Sequence, residues 1–157
     1  MGTYSQLLKE ARTDYFHAEH MLSVTYPLIQ DTKLLIGITE NLFLALTKII
    51  SILVYYEHDL KRINLAQDDF ENKLNLFRSH CVNYYHLSPS ILNMIIDLRE
   101  ILTQHQTCPI EFRRKDKFII CTNTYKVQEI TPFQLTEYLK KTKDFLDLTE
   151  NTITKNE

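Results

Sequence analysis

Residues 34–62, LLIGITENLFLALTKIISILVYYEHDLKR, limit what this chain can fold into more than any other stretch. The polar residues Glu40, Asn41, Thr47, Lys48, Ser51, His58, Asp59 and Arg62 return at spacings of three, four or seven. At helical pitch they make one narrow stripe, with apolar side chains around the rest of the circumference. A helix apolar over most of its surface belongs at the centre of a bundle. A membrane span is the competing reading, but Lys48 sits mid-run and Glu40 and Glu57 bracket too short a segment for a bilayer. The expectation is a buried central helix and no membrane.

The rest of the chain reads as helices that cover it. Tyr4, Leu8, Ala11, Tyr15, Ala18 and Leu22 alternate steps of four and three, a first helix that should weaken near Tyr26-Pro27. Asp31 is the expected N-cap of the central helix. Asp68, with Glu71 three residues on, resembles a capping box for a third helix that buries Phe70, Leu74, Phe77, Cys81 and Tyr84 or Tyr85. Ser88-Pro89 opens a fourth helix burying Ile91, Leu92, Ile95, Leu98 and Leu102. The period then changes: FIIC and YKVQEI, separated by Thr122-Asn123-Thr124, predict a hairpin at about 117–130. Thr131-Pro132 with Gln134 starts a last helix facing Leu135, Leu139, Phe145 and Leu146 inward, and the polar tail from Glu150 should fray. The fold predicted is one all-α domain, an up-and-down bundle of about five helices with a small β-hairpin before the last.

Only two glycines in 157 residues disfavours phosphate loops built on glycine and fits a helical protein. Three widely spaced cysteines, Cys81, Cys108 and Cys121, suit reduced thiols and a cytoplasmic setting, and the N-terminal residues lack the apolar core of a signal peptide. No cofactor is expected. His17 and His20, with Asp14, have a spacing that could offer metal ligands, but nothing in the sequence completes a set, so no metal is expected. His105 and Cys108 are close enough to raise a catalytic dyad, and an idle cysteine is the commoner outcome.

One constellation carries more. Arg99 precedes His105 by six residues in REILTQH, near the end of the fourth helix. With LLKEARTDYFHAEHML and ENLFLALTKIISIL in the first two helices, the chain here resembles the HEPN superfamily, over roughly residues 4–105. The resemblance implies a small helical bundle that commonly dimerises and, in RNA-cleaving members, an R-x(4–6)-H motif. It assigns Arg99 and His105 as candidate catalytic residues of a metal-independent endoribonuclease. The chain is also similar to small uncharacterised archaeal proteins, a likeness that implies no activity. On a straight helix six residues turn a side chain by about 240°, so the two converge only through a bend, a frayed end or a symmetry mate.

In such chemistry the histidine exchanges a proton with the RNA and the arginine holds the phosphate. The run Phe112-Arg113-Arg114-Lys115-Asp116-Lys117 makes Arg113, Arg114, Lys115 and Lys117 candidate RNA-binding residues, with Phe118 or Tyr125 available to stack a base. Weighed against this, Arg99 pairs with Asp97 or Glu100, His105 caps helix carbonyls, and the basic run is a solvated turn. Nine tyrosines equally suit a non-catalytic module that binds a protein partner, and an RNA binder that does not cut is a third reading.

Overall fold

The apolar periodicity is realised as five helices wrapped on one of their number. The computed structural model describes residues 2–107, 110–121 and 126–155. Helix α1 runs over Gly2–His20, a π turn at Met21–Thr25 and Tyr26–Ile29. The central helix α2 spans Leu34–Asp59. Helix α3 comprises Phe70–Leu76, a π turn at Phe77–Cys81 and Val82–Tyr84. Helix α4 spans Pro89–Thr107 and helix α5 Pro132–Lys155. Between α4 and α5 lie β1 (Ile110–Arg114), β2 (Lys117–Cys121) and β3 (Val127–Ile130), an antiparallel sheet in the order β1-β2-β3. The expected helical bundle is therefore present, with a three-stranded sheet in place of a two-stranded hairpin. FIIC pairs with the VQEI of the second segment, Phe118 opposite Ile130; residues 122–125, with Tyr125, lie outside the described residues.

Helix α2 buries Leu35, Ile38, Leu42, Leu46, Ile49, Ile50 and Leu53 completely, against side chains from all four other helices and the sheet. It is the one described helix long and apolar enough to cross a membrane by length and composition, and most of that apolar window is buried inside the protein. Lys48 is paired with Asp14 of α1 at 2.5 Å, which commits the carboxylate that might have joined His17 and His20. Both histidines are exposed, and among the described residues no group of ligating side chains gathers for a metal.

Local capping follows sequence closely in two places. The Thr131 hydroxyl accepts from the Gln134 N–H at 3.1 Å, and the Ser88 hydroxyl from the Ser90 N–H at 3.3 Å. Asp31 acts one turn early, accepting from the Lys33 N–H at 3.0 Å while its carbonyl takes Leu34. Elsewhere the structure corrects the reading. Helix α1 does not weaken at Tyr26-Pro27; the wider π turn before it gives the proline ring room, and the chain turns only at Gln30, at φ 56°. Asp69, not Asp68, caps α3, because Asp68 is held by the Tyr55 hydroxyl at 2.7 Å and by Lys73. Helix α4 buries Met94, Ile95, Leu98 and Ile101, and leaves Ile91, Leu92 and Leu102 half-buried. Over the described residues the tail does not fray: α5 continues to Lys155, and Ile153 packs with Tyr4, Ile52 and Tyr56 in a second small core.

Two polar clusters tie the bundle internally. Glu57 is fully buried and accepts from Tyr85 (2.8 Å) and Arg62 (2.8 Å), with His80 Nε2 at 2.6 Å. Asp97 accepts from Gln128 of β3 (3.1 Å) and from Gln134 (3.0 Å) and Tyr138 (2.5 Å) of α5, joining sheet and helices. Burial, and then the Asp97 carboxylate, push the Tyr138 hydroxyl up to about 12; burial and Glu57 push the Cys81 thiol to about 12 and raise Tyr85 as well. Groups raised on folding contribute stability in full below their unfolded values, and that contribution is lost as pH rises through the folded ones. Thermal stability should therefore fall from about pH 9 toward pH 12, since free thiols titrate near 8.5 and phenols near 10. Tyr138→Phe should flatten the fall above pH 10; melting curves that shift with pH identically in parent and variant would refute this.

Candidate nucleic-acid interface

The basic run does not form one patch, because residues 110–114 are a strand and a strand sends successive side chains to opposite faces. Register places Arg113 opposite Phe118 and Glu111 opposite Ile120, on the face turned to the helices, where Phe118 and Ile120 enter the core. Arg114 lies opposite Lys117 and Phe112 opposite Ile119 on the other face. Lys115, at φ 53°, takes the left-handed position of the tight turn between them. Of the four candidate RNA-binding residues, Lys117 pairs with Glu129 at 3.5 Å and Arg113 with Asp31 at 3.1 Å. Arg114 and Lys115 are exposed and have no ion-pair partner among the described residues. Residues 110–121 carry four cations against two carboxylates, in a chain whose net charge is −2.

On the helix side of β1 a cleft of about 610 Å³ opens between the sheet, the end of α4 and the start of α2. Lys33, Ile36, His105, Glu111, Phe112, Arg113 and Phe118 line it. His105 Nδ1 lies 2.6 Å from Glu111 Oε2, and its ring meets Phe118 edge-on with centroids 6.5 Å apart. With Nδ1 engaged, Nε2 is the ring nitrogen without a partner among the described residues. A carboxylate on one nitrogen orients an imidazole and selects its tautomer, which leaves the other to exchange protons.

Arg99 and His105 do not meet within one chain. Helix α4 is unbroken from Pro89 to Thr107, and its pitch sends the two side chains apart. Arg99 is ion-paired with Glu71, and its guanidinium lies 5.6 Å from the Phe70 ring centroid, both on α3. His105 turns instead to the sheet. Neither Asp97 nor Glu100 takes Arg99, and His105 bonds a side-chain carboxylate instead of capping carbonyls. Cys108, the other half of the dyad considered with His105, lies outside the described residues, as does Tyr125.

Sequence reasoning missed Lys33 and Glu111 as members of this site. Reading IEFRR as a strand would have found Glu111, since alternation places it beside Arg113. It missed the Glu57 cluster too, although a carboxylate outside the polar stripe of α2 was the signal. No family model, no curated protein and no solved structure matches this chain.

Proposed function

We propose that this is a HEPN-like RNA-associated protein that cleaves RNA without a metal ion, through His105. The observation that carries the reading is the imidazole itself: Glu111 holds its Nδ1, and the residue lines a cleft that Arg113 and Lys33 also line. In the proposed reaction Nε2 takes the proton of an RNA 2′-hydroxyl. The 2′-oxygen bonds to phosphorus, the P–O5′ bond breaks, and the departing oxygen is protonated. Arg113 is the guanidinium placed to stabilise the charge that builds on the phosphate. Arg99 joins His105 in this scheme from a second copy of the chain, so a homodimer belongs to the proposal. Phe112, Arg114 and Lys117 on the outer face of the sheet, with Lys115 in the turn, are the contacts proposed for the strand beyond the cleft.

The test is incubation of pure protein with end-labelled single-stranded RNA in EDTA. Cleavage is expected; intact RNA at protein concentrations that saturate binding would sink the nuclease reading. Binding should weaken steeply with salt, and Arg114→Glu or Lys115→Glu should each flatten the plot of log affinity against log salt by about 0.7. A salt-independent affinity would count against any RNA role. The alternative, a non-catalytic module for a protein partner, is favoured by apolar side chains left in solvent, Leu28 at 81% and Phe133 at 76% exposure. A partner retained after RNase treatment and lost on Phe133→Glu would establish it.

A further inference from the structure

Strand β1 leaves one edge of the sheet open. Strand β2 takes its other side, no further described strand pairs with it, and Glu111, Phe112, Arg113 and Arg114 are all exposed. The turn at Lys115-Asp116 fixes the phase of the backbone along that edge. A two-residue turn closes on a hydrogen-bonded pair, here Arg114 and Lys117, so alternation gives the N–H and C=O of Phe112 to Ile119 of β2. The same groups of Glu111 and Arg113 point to the open edge, and neither residue has a backbone partner there among the described residues. No proline or bulge interrupts the register over Ile110–Arg114, so the edge is a template for another strand.

That phase restricts how a second β1 can be added. An antiparallel partner must bond its own outward-pointing residues to these, which leaves the registers Glu111 on Glu111, Arg113 on Arg113, and Glu111 on Arg113. The first two set like charges directly across the strand pair and are disfavoured. The last is centred on Phe112 and places each Glu111 opposite the Arg113 of the other copy. Both side chains lie on the helix-facing side of the sheet, so a two-fold axis normal to the sheet alternates the signs at all four corners of the contact. Glu111 spends Oε2 on His105, and its Oε1 has no partner among the described residues, so it can accept from the incoming guanidinium. On the outer face Phe112 meets Phe112 across the axis, at a non-hydrogen-bonded position where side chains approach most closely. That contact covers a ring that is 44% exposed in the single chain.

We propose that β1 is a dimerisation strand: two copies of the chain pair through it, antiparallel and centred on Phe112, and join their sheets into one of six strands. The contact is isologous, so it closes at two copies. It lies outside residues 4–105, over which the chain resembles the HEPN superfamily, and it depends on neither RNA binding nor cleavage. It also brings the Arg113 of the second copy beside Glu111, the carboxylate that holds His105.

Sedimentation equilibrium of the full chain tests it and should show a dimer at about 100 μM protein, enough to fill even a weak interface. Glu111→Arg and Arg113→Glu should each weaken association by about tenfold or more, because each sets like charges across both pairs. The double variant Glu111→Arg/Arg113→Glu restores opposite signs and should regain the parent's affinity, a recovery that misfolding cannot produce. Phe112→Cys should be trapped as a disulfide-linked dimer under mild oxidation, since the Cα atoms of such a pair lie about 4.5 Å apart. Arg114→Cys, well away from the axis, should not be trapped. A double variant as weak as the single ones, or a dimer that Phe112→Cys does not trap, would overturn the proposal. A parent chain that stays monomeric would overturn it too, and would leave the edge to an extended segment of another protein.

Discussion

Replacing Glu57 by alanine should cost about 3–5 kcal/mol, the loss typical of breaking a buried charge cluster from one side. Glu57 has no solvent exposure, and three side chains depend on it: Arg62 from the segment after α2, and His80 and Tyr85 from α3 and its C-terminal end. The substitution leaves a void where the carboxylate stood and strips partners from a phenol and an imidazole that are largely out of water. It also frees the guanidinium of Arg62, which lies 4.7 Å from the Tyr84 ring centroid. Single domains are stable by only about 5–15 kcal/mol, so the variant would stand close to unfolding. For a chain of this size the melting temperature should fall by about 6–20 °C. By contrast, Glu137→Ala, which removes an exposed i,i+3 pair with Lys140, should change stability by no more than about 0.5 kcal/mol. A loss below 1 kcal/mol for Glu57→Ala, measured by urea unfolding, would show that the cluster contributes little net stability.

The second large effect concerns His105. If it is the proton-transfer group, His105→Ala should slow RNA cleavage in EDTA by about 10²–10⁴-fold, the usual contribution of general acid–base catalysis. RNA affinity should hardly change, because the charge that attracts the strand is on Arg113, Arg114, Lys115 and Lys117. The fold should also survive, since His105 is at the exposed end of α4, with about a third of its side chain in solvent. Glu111→Gln separates orientation from chemistry: the imidazole remains, without the carboxylate that selects its tautomer. An intermediate loss of rate is expected there. Equal cleavage by parent and His105→Ala would assign the activity to another site or to a contaminant. Arg99→Ala adds the test of assembly. Within one chain Arg99 is engaged with Glu71 and Phe70, so a loss of activity on its removal would require a second copy to bring it to His105.

How legible the molecule was depended on the distance over which each feature is encoded. The central helix, the Ser88 and Thr131 caps and the pairing of FIIC with VQEI all rest on residues within a few positions of one another, where period and capping chemistry operate. Features set by contacts across the chain were not legible. Asp68 resembles a cap until Tyr55, 13 residues away, claims it. The tail from Glu150 looks free until Ile153 is seen to pack on Tyr4 and Ile52. Strand β1 was hidden in a run of charges, because the alternation of a strand with one polar face and a half-polar other differs little from a solvated turn.

The sequence by itself determined a helical bundle around a central helix within residues 34–62 and the starts of its last two helices, because apolar period and cap chemistry act over single turns. It also named His105 and Arg113, but for separate reasons and as parts of different constellations. Only the tertiary structure decided that these two share a cleft while Arg99 is turned away to α3, and that Lys33, more than 70 residues before His105, completes it. The physical reason is that helical pitch sets the direction of a side chain relative to its own axis, whereas packing sets which neighbour it meets.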